Sequence, residues 1–199
     1  MSSQAITVTA VPKHRNTIPA GRVFGGLALM ALALFFVVEQ VAFRTVEAKT
    51  IAALLGFLTH TRALTTGGSY VYYGFGTDNI NAFGITTMCS SVILVTPLLV
   101  LGGILMLVRS FRAGRVLAGL GVALAVSIFC NLVRFVTVGL ALRKWGMPGF
   151  DIVHHWIGSV FVILGFAASF LLLIWIAAGG KKTEIVRPVA KRSAPEDDA

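Results

Sequence analysis

The chain has 199 residues, of which 56% are hydrophobic and only 13% charged. This excludes an ordinary soluble globular domain, where the apolar share is about 45–50% and the charged share about 25%. A formal net charge of +9 would point a soluble protein toward nucleic acid. In a chain this apolar it is read against a membrane instead, and no nucleic acid partner is expected.

Four apolar segments follow in chain order. Val23 to Phe43 comes first, uncharged until Glu39 and preceded by Lys13, Arg15 and Arg22. At about 1.5 Å per residue it is long enough to cross a bilayer. A cleaved signal peptide is the rival reading, but Val41-Ala42-Phe43 supplies no small-x-small cleavage site, so the segment reads as a signal anchor. Ser91 to Val108 is the second span, with Pro97 and Gly102-Gly103 inside and Arg109, Arg112 and Arg115 after it. Val116 to about Leu142 is the third, interrupted by Asn131 and Arg134. Val153 to Ala178 is the fourth, followed by Gly179-Gly180 and Lys181-Lys182.

Lys and Arg concentrate on the cytoplasmic side of membrane proteins. Residues 1–22, the loop around Arg112 and the tail 179–199 together carry 11 basic residues, against 5 in the opposite connections. The expected fold is therefore an all-α integral membrane protein of about four spans, with both termini inside. Residues 23–178 form its membrane domain, flanked by a cytoplasmic segment 1–22 and a polar, basic tail 179–199.

The outer segment 44–88 changes character halfway. Val46, Ile51, Leu54, Leu55, Leu58 and Leu64 fit a helix from Val46 to Leu64 lying along the membrane surface and ended by Gly67-Gly68. Ser69 to Tyr73 and Asn81 to Thr87 are short aromatic or β-branched runs separated by Gly74, Gly76 and Thr77-Asp78-Asn79, a pattern that predicts a small β-hairpin. Tyr70, Tyr72 and Tyr73 would alternatively anchor at headgroup level.

This topology brings costly residues to one depth. Cys89 falls at the outer mouth of the second span, followed by Ser90-Ser91. Arg134 comes 18 residues after Val116, about 27 Å up the third span. Asn131 shares its face, and His154 and His155 open the fourth span on the same side. Each has an ordinary explanation: Cys89 as a small packing residue, Arg134 snorkelling to the interface, Asn131 joining helices, the histidines sitting at the interface. Their convergence has none, because an intramembrane Arg by default marks a functional site.

Nearby positive charge favours a thiolate. A guanidinium can stabilise that thiolate and then an oxyanion, and a histidine can move the proton. Cys89, Arg134 and a histidine, His154 or His155, thus describe acyl transfer through a thioester. Two cysteines and clustered histidines lack metal-ligand spacing, so neither a metal nor a cofactor is expected. Cys130, deeper in the third span, reads as packing, and a Cys89–Cys130 disulfide is not expected across that difference in depth. The rival reading is a non-enzymatic membrane assembly subunit in which Arg134 and Asn131 bind a partner helix. A small transporter fits less well, since the inner halves of the spans are almost entirely apolar.

A strand leading into Cys89-Ser90-Ser91, then Asn131-x-x-Arg134, then His154-x-x-x-Gly158 with Phe161 beyond, resembles the exosortase/archaeosortase family of polytopic cysteine transpeptidases. The likeness covers roughly Tyr70 to Phe166. It implies an enzyme of a prokaryotic plasma (inner) membrane, active on the non-cytoplasmic side. Its substrates would be secreted proteins carrying a C-terminal sorting signal: a short motif, a transmembrane helix and a basic cluster. Cleavage near the motif would be followed by transfer to water or to another acceptor, such as an amine or a lipid.

Carried over by position, Cys89 is the nucleophile, Arg134 stabilises the thiolate or oxyanion, and His154 is the general acid/base. Asn131, Ser90 and His155 support them. His154 is preferred to His155 because Gly158 follows it by four residues. Two departures stand out: many members have glycine at the position of Ser91, and many are longer, with further spans before the catalytic core. Gly158 and Ser159 are small enough for close helix packing at the start of the fourth span, or for a groove that takes a substrate helix.

Overall fold

The computed structural model of the chain describes residues 19–77 and 79–179. The cytoplasmic segment expected over residues 1–22 lies, up to residue 18, outside the described residues, as do Asp78 and the tail from residue 180. The fold is mostly helical, with one small antiparallel sheet. Its helices are α1 (Ala20–Val38), α2 (Gln40–Thr59), α3 (Val92–Leu107), α4 (Ala113–Asp151) and α5 (Gly158–Ala178). Two helical stretches, Ala20–Val38 and Ala113–Ala178, are long and apolar enough to cross a membrane. At 16 residues, α3 is shorter than the about 20 expected of a span.

The first helix stops sooner than its hydropathy suggests. The backbone at Glu39 leaves helical geometry (φ −90°, ψ 24°), so Gln40 to Phe43 belong to α2 and not to the first span. Phe36 and Phe43 pack edge to face across the break, 5.3 Å between centroids. The outer helix consequently begins at Gln40, before Val46, and ends at Thr59, before Leu64. His60 terminates it in the left-handed conformation (φ 51°), its N–H returning to Gly56 and Phe57 carbonyls.

Leu64 belongs to a strand, so the expected two-stranded hairpin is a three-stranded sheet. Its strands are β1 (Arg62–Thr66), β2 (Tyr70–Phe75) and β3 (Asn81–Gly84), in the order β1-β2-β3. Gly67 (φ 60°) and Gly68 (φ 93°) do not end a helix. They form the tight turn between β1 and β2, a position that needs positive φ. Thr66 faces Tyr70 across that turn, while Tyr70 pairs with Gly84 and Tyr73 with Asn81 on the other side.

The expected break between third and fourth spans falls at Gly146, where two helices meet within Ala113–Asp151. α4 continues past Leu142 to Asp151, kinked at Gly146 (φ 65°, ψ −154°) with Pro148 just beyond, and a π-helical turn, Ile152–Ile157, joins it to α5. α5 then returns antiparallel along α4. Gly119 sits beneath Leu173 and Ile176, Cys130 against Gly165, and Arg134 against Gly158. α1 and α3 meet similarly at Gly26 and Gly103, where a Cβ on Gly26 would fall 3.0 Å from the Gly103 carbonyl oxygen. Arg22 donates from Nε to Met106 O (3.0 Å) and from Nη2 to Val108 O (2.7 Å). A cation so placed satisfies the orphan carbonyls of a helix C-terminus.

Two cores result. One, at the end that holds Arg22 and Arg115, packs Ala33, Val95, Leu98, Leu99, Val116, Leu120, Ala123 and Leu173 from α1, α3, α4 and α5. The other packs Ile51 and Leu55 of α2 and Val71, Tyr73 and Phe83 of the sheet against Phe135 and Leu142 of α4. Tyr73 is fully buried, and its hydroxyl donates to Gly139 O at 2.6 Å. Burial pushes its pKa up to about 12, against a smaller opposing effect of Arg143. Tyr73 is therefore a core residue, whereas Tyr70 is exposed.

Candidate active site

The polar residues meet where the second core reaches α3. Leaving β3, the chain remains tied to the sheet by Ile85 N–H donating to Ser69 O (2.9 Å), then closes a single 3₁₀ turn, Thr87–Cys89. That turn presents the Cys89 thiol just before α3 begins. Asn131 and Arg134 project from one face of α4 and are buried, at 1% and 8% exposure. His154 comes from the π-helical turn. Three separate elements thus deliver the side chains.

Cys89 Sγ lies 3.7 Å from His154 Nε2 and 3.8 Å from Arg134 Nη2. Both are within hydrogen-bonding reach of a sulfur. Arg134 Nη2 also donates to His154 O (3.4 Å), which accepts from Ser159 Oγ as well (3.1 Å). Gly158 N–H meanwhile reaches back five residues to Val153 O. A π-turn widens the ladder, and here the two side-chain donors take up the His154 carbonyl. The His154 ring stacks on Phe150, 5.0 Å apart and 10° from parallel, which fixes the plane in which Nε2 faces the thiol.

Gly158 follows from the position of Arg134. A Cβ there would fall 2.7 Å from Val153 O and meet Arg134 Cγ at 3.0 Å and Nε at 3.2 Å, so glycine fits between the π-turn backbone and the Arg134 side chain. Arg134 Nε is buried without a partner among the described residues. It is a donor left unspent beside the thiol.

Of the residues singled out by sequence, Cys89, Arg134 and His154 come together. Asn131 joins them indirectly: its Nδ2 donates to Cys89 O (3.1 Å) and to Ser91 Oγ (2.9 Å). Ser91, which stands where glycine is common in the resembling family, turns its hydroxyl to Asn131, away from the thiol. Ser90 is buried and turned from the thiol too, its Oγ donating to Glu47 Oε2 at 2.6 Å. His155 is exposed, edge-on to His154, and has no polar contact with Cys89. Cys130 packs against Gly165, and both cysteines are free thiols.

Sequence reasoning missed Glu47. The residue is buried (7% exposed) and accepts from Ser90 Oγ and from Ser91 N–H (2.9 Å). The available signal was the i, i+4, i+8 row Glu47–Ile51–Leu55, which puts the carboxylate on the face that carries the α2 core. Among the described residues no group of three or more His, Cys, Asp or Glu could hold a metal ion.

The arrangement defines a class: a helical bundle carrying a Cys–His–Arg cluster at one end, with a thiol, an imidazole and a guanidinium in mutual reach. Comparison with family models, curated proteins and solved structures finds no match for this chain.

Proposed function

We propose that the chain is an integral-membrane cysteine protease/transpeptidase of the exosortase type, which cuts C-terminal sorting signals from secreted proteins at the outer face of a prokaryotic plasma membrane. The observation that carries this reading is the meeting of Cys89 Sγ with His154 Nε2 and Arg134 Nη2, each under 4 Å away. The antiparallel α1, α3, α4 and α5 support four crossings. Arg22 and the basic residues around Arg112 gather at the end opposite Cys89, which supports a reading with that end inside and the thiol outside.

Cys89 passes its thiol proton to His154 Nε2, and the thiolate attacks the carbonyl carbon of the scissile peptide, forming the C–S bond. The carbonyl electron pair moves to oxygen, where Arg134 stabilises it. Collapse of this intermediate breaks the C–N bond, and the leaving amine takes the proton from His154. The thioester that remains is attacked by water or an acceptor nucleophile such as an amine. That nucleophile's proton goes to His154, the C–S bond breaks, and the proton returns to sulfur. The substrate's transmembrane helix would hold the scissile bond at the depth of Cys89.

The test is to co-express a candidate secreted protein, ending in a short motif, an apolar helix and a basic cluster, with the parent chain and its variants. Cys89→Ala abolishes maturation, and His154→Ala lowers it by about 10²–10⁴-fold, the usual worth of a positioned acid/base. Unchanged maturation with Cys89→Ala would sink the mechanism. If Cys89 proves dispensable while Arg134 and Asn131 are needed to co-purify a partner, the chain is instead a non-enzymatic assembly subunit.

A further inference from the structure

Glu47 lies outside the steps just written, yet both its oxygens are engaged at the root of the nucleophile. Ser90 Oγ accepts from Val92 N–H (3.3 Å), so its own proton is the one directed to Glu47 Oε2. Oε1 receives Ser91 N–H. A side chain that only accepts, at both oxygens, is bonded as a carboxylate. From Ser91 the connections continue: Ser91 Oγ accepts from Asn131 Nδ2, which also donates to Cys89 O. Asn131 sits one turn before Arg134 on α4. Glu47 therefore holds the Cys89–Ser91 turn from one side while α4 holds it from the other.

We propose that Glu47 is the positioning residue of the Cys89 site, an inference that rests on reading Cys89 as the nucleophile. The charged and titratable groups around the thiol come from three elements. α2 supplies Glu47 and, nearer β3, Arg44, which lines a cleft with Thr86 and Thr87. α4 supplies Arg134, and the π-turn supplies His154 with His155 beside it and Asp151 just before. Glu47 alone among them combines a negative charge with hydrogen bonds to the turn that carries the thiol. Its carboxylate, bonded to Ser90 Oγ and Ser91 N–H, fixes the direction in which Sγ leaves the 3₁₀ turn.

Two substitutions separate charge from position. Glu47→Gln keeps the reach and removes the charge. With a negative group gone, the thiolate is more populated, and Cys89 in a Cys130→Ala background reacts with neutral iodoacetamide about tenfold faster at pH 7. Glu47→Asp keeps the charge but is a methylene too short to meet both donors, so iodoacetamide reactivity stays near the parent rate while substrate maturation slows about tenfold or more. A residue that merely filled space would give neither acceleration with Gln nor this split with Asp.

Parent-like alkylation by Glu47→Gln together with parent-like maturation by Glu47→Asp would overturn the assignment. Alkylation needs no substrate, so the two readings fail separately. Acceleration by Gln in a chain that matures no substrate leaves the assignment standing and removes the protease. Maturation by the parent with neither variant effect removes only the role of Glu47.

Discussion

Between Ala113 and Ile128, α4 buries Val116, Leu120 and Ala123 among side chains of α1, α3 and α5. From Asn131 to Leu142 the same helix buries an amide, a guanidinium and Phe135 against α2, the sheet and the 3₁₀ turn. At the first end most contacts are non-directional, so a neighbour of similar volume can replace almost any residue. At the second, Asn131 and Arg134 are hydrogen-bonded to groups from other elements, and removing either leaves a buried polar group unpaired. One helix thus buries apolar side chains with one half and the polar cluster with the other.

The sharpest way to break this comparison is at Arg134. Arg134→Lys retains the charge but loses the planar guanidinium whose Nη2 donates to both Cys89 Sγ and His154 O. Substrate maturation is expected to fall about 10²–10³-fold, the loss seen when one oxyanion donor is removed. The protein should still be recovered from membranes in parent amounts. Maturation within threefold of the parent would mean that a point charge suffices and that the planar geometry has no catalytic role.

The opposite end makes the complementary test. Leu98→Ala removes a fully buried side chain from the apolar core. It should cost about 1–3 kcal/mol of stability, the low side of such substitutions because lipid is as apolar as the core it replaces. Maturation per folded molecule should not change. Thermal melting in detergent reads the first quantity, and substrate conversion normalised to folded protein reads the second. A large loss of conversion at equal folded amounts would show the two halves of α4 to be coupled.

These two ends also differ in how far the sequence reveals them. The apolar segments and their order were readable because length and hydropathy decide them. Cys89, Asn131, Arg134 and His154 were readable because a polar residue in such a segment is conspicuous. Three features were hidden. The α2 face was misjudged because Val46, Leu54 and Leu58 are exposed while Ala48, Ile51, Ala52 and Leu55 are buried. In a chain this apolar, outward positions tolerate the same residues as inward ones, so periodicity does not say which side packs. Gly67-Gly68 reads equally well as a helix stop and as a hairpin turn, and only the pairing of Thr66 with Tyr70 decides between them. Glu47 looked like an exposed charge because its partners, Ser90 and Ser91, are more than 40 residues away in sequence.

Tyr73 gives the smallest and most local test, because it joins the sheet to the polar half of α4 through one bond. Its hydroxyl donates to Gly139 O at 2.6 Å in a fully buried setting, and a Cβ on Gly139 would lie 2.8 Å from Leu55 Cδ1. Tyr73→Phe keeps the ring, including its edge-to-face contact with Phe83 at 6.2 Å. It should cost about 0.5–1.5 kcal/mol, since the carbonyl it leaves belongs to a helix and one hydrogen bond is lost. Because burial raises the Tyr73 pKa to about 12 from the unfolded value near 10, the parent binds this proton more tightly when folded. That part of its stability is complete below about pH 10 and is lost as pH rises toward 12. Tyr73→Phe should lack that alkaline decline, which a melting series from pH 8 to pH 11 would reveal. An identical decline in both chains would assign the alkaline sensitivity to some other group and leave Tyr73 as packing alone.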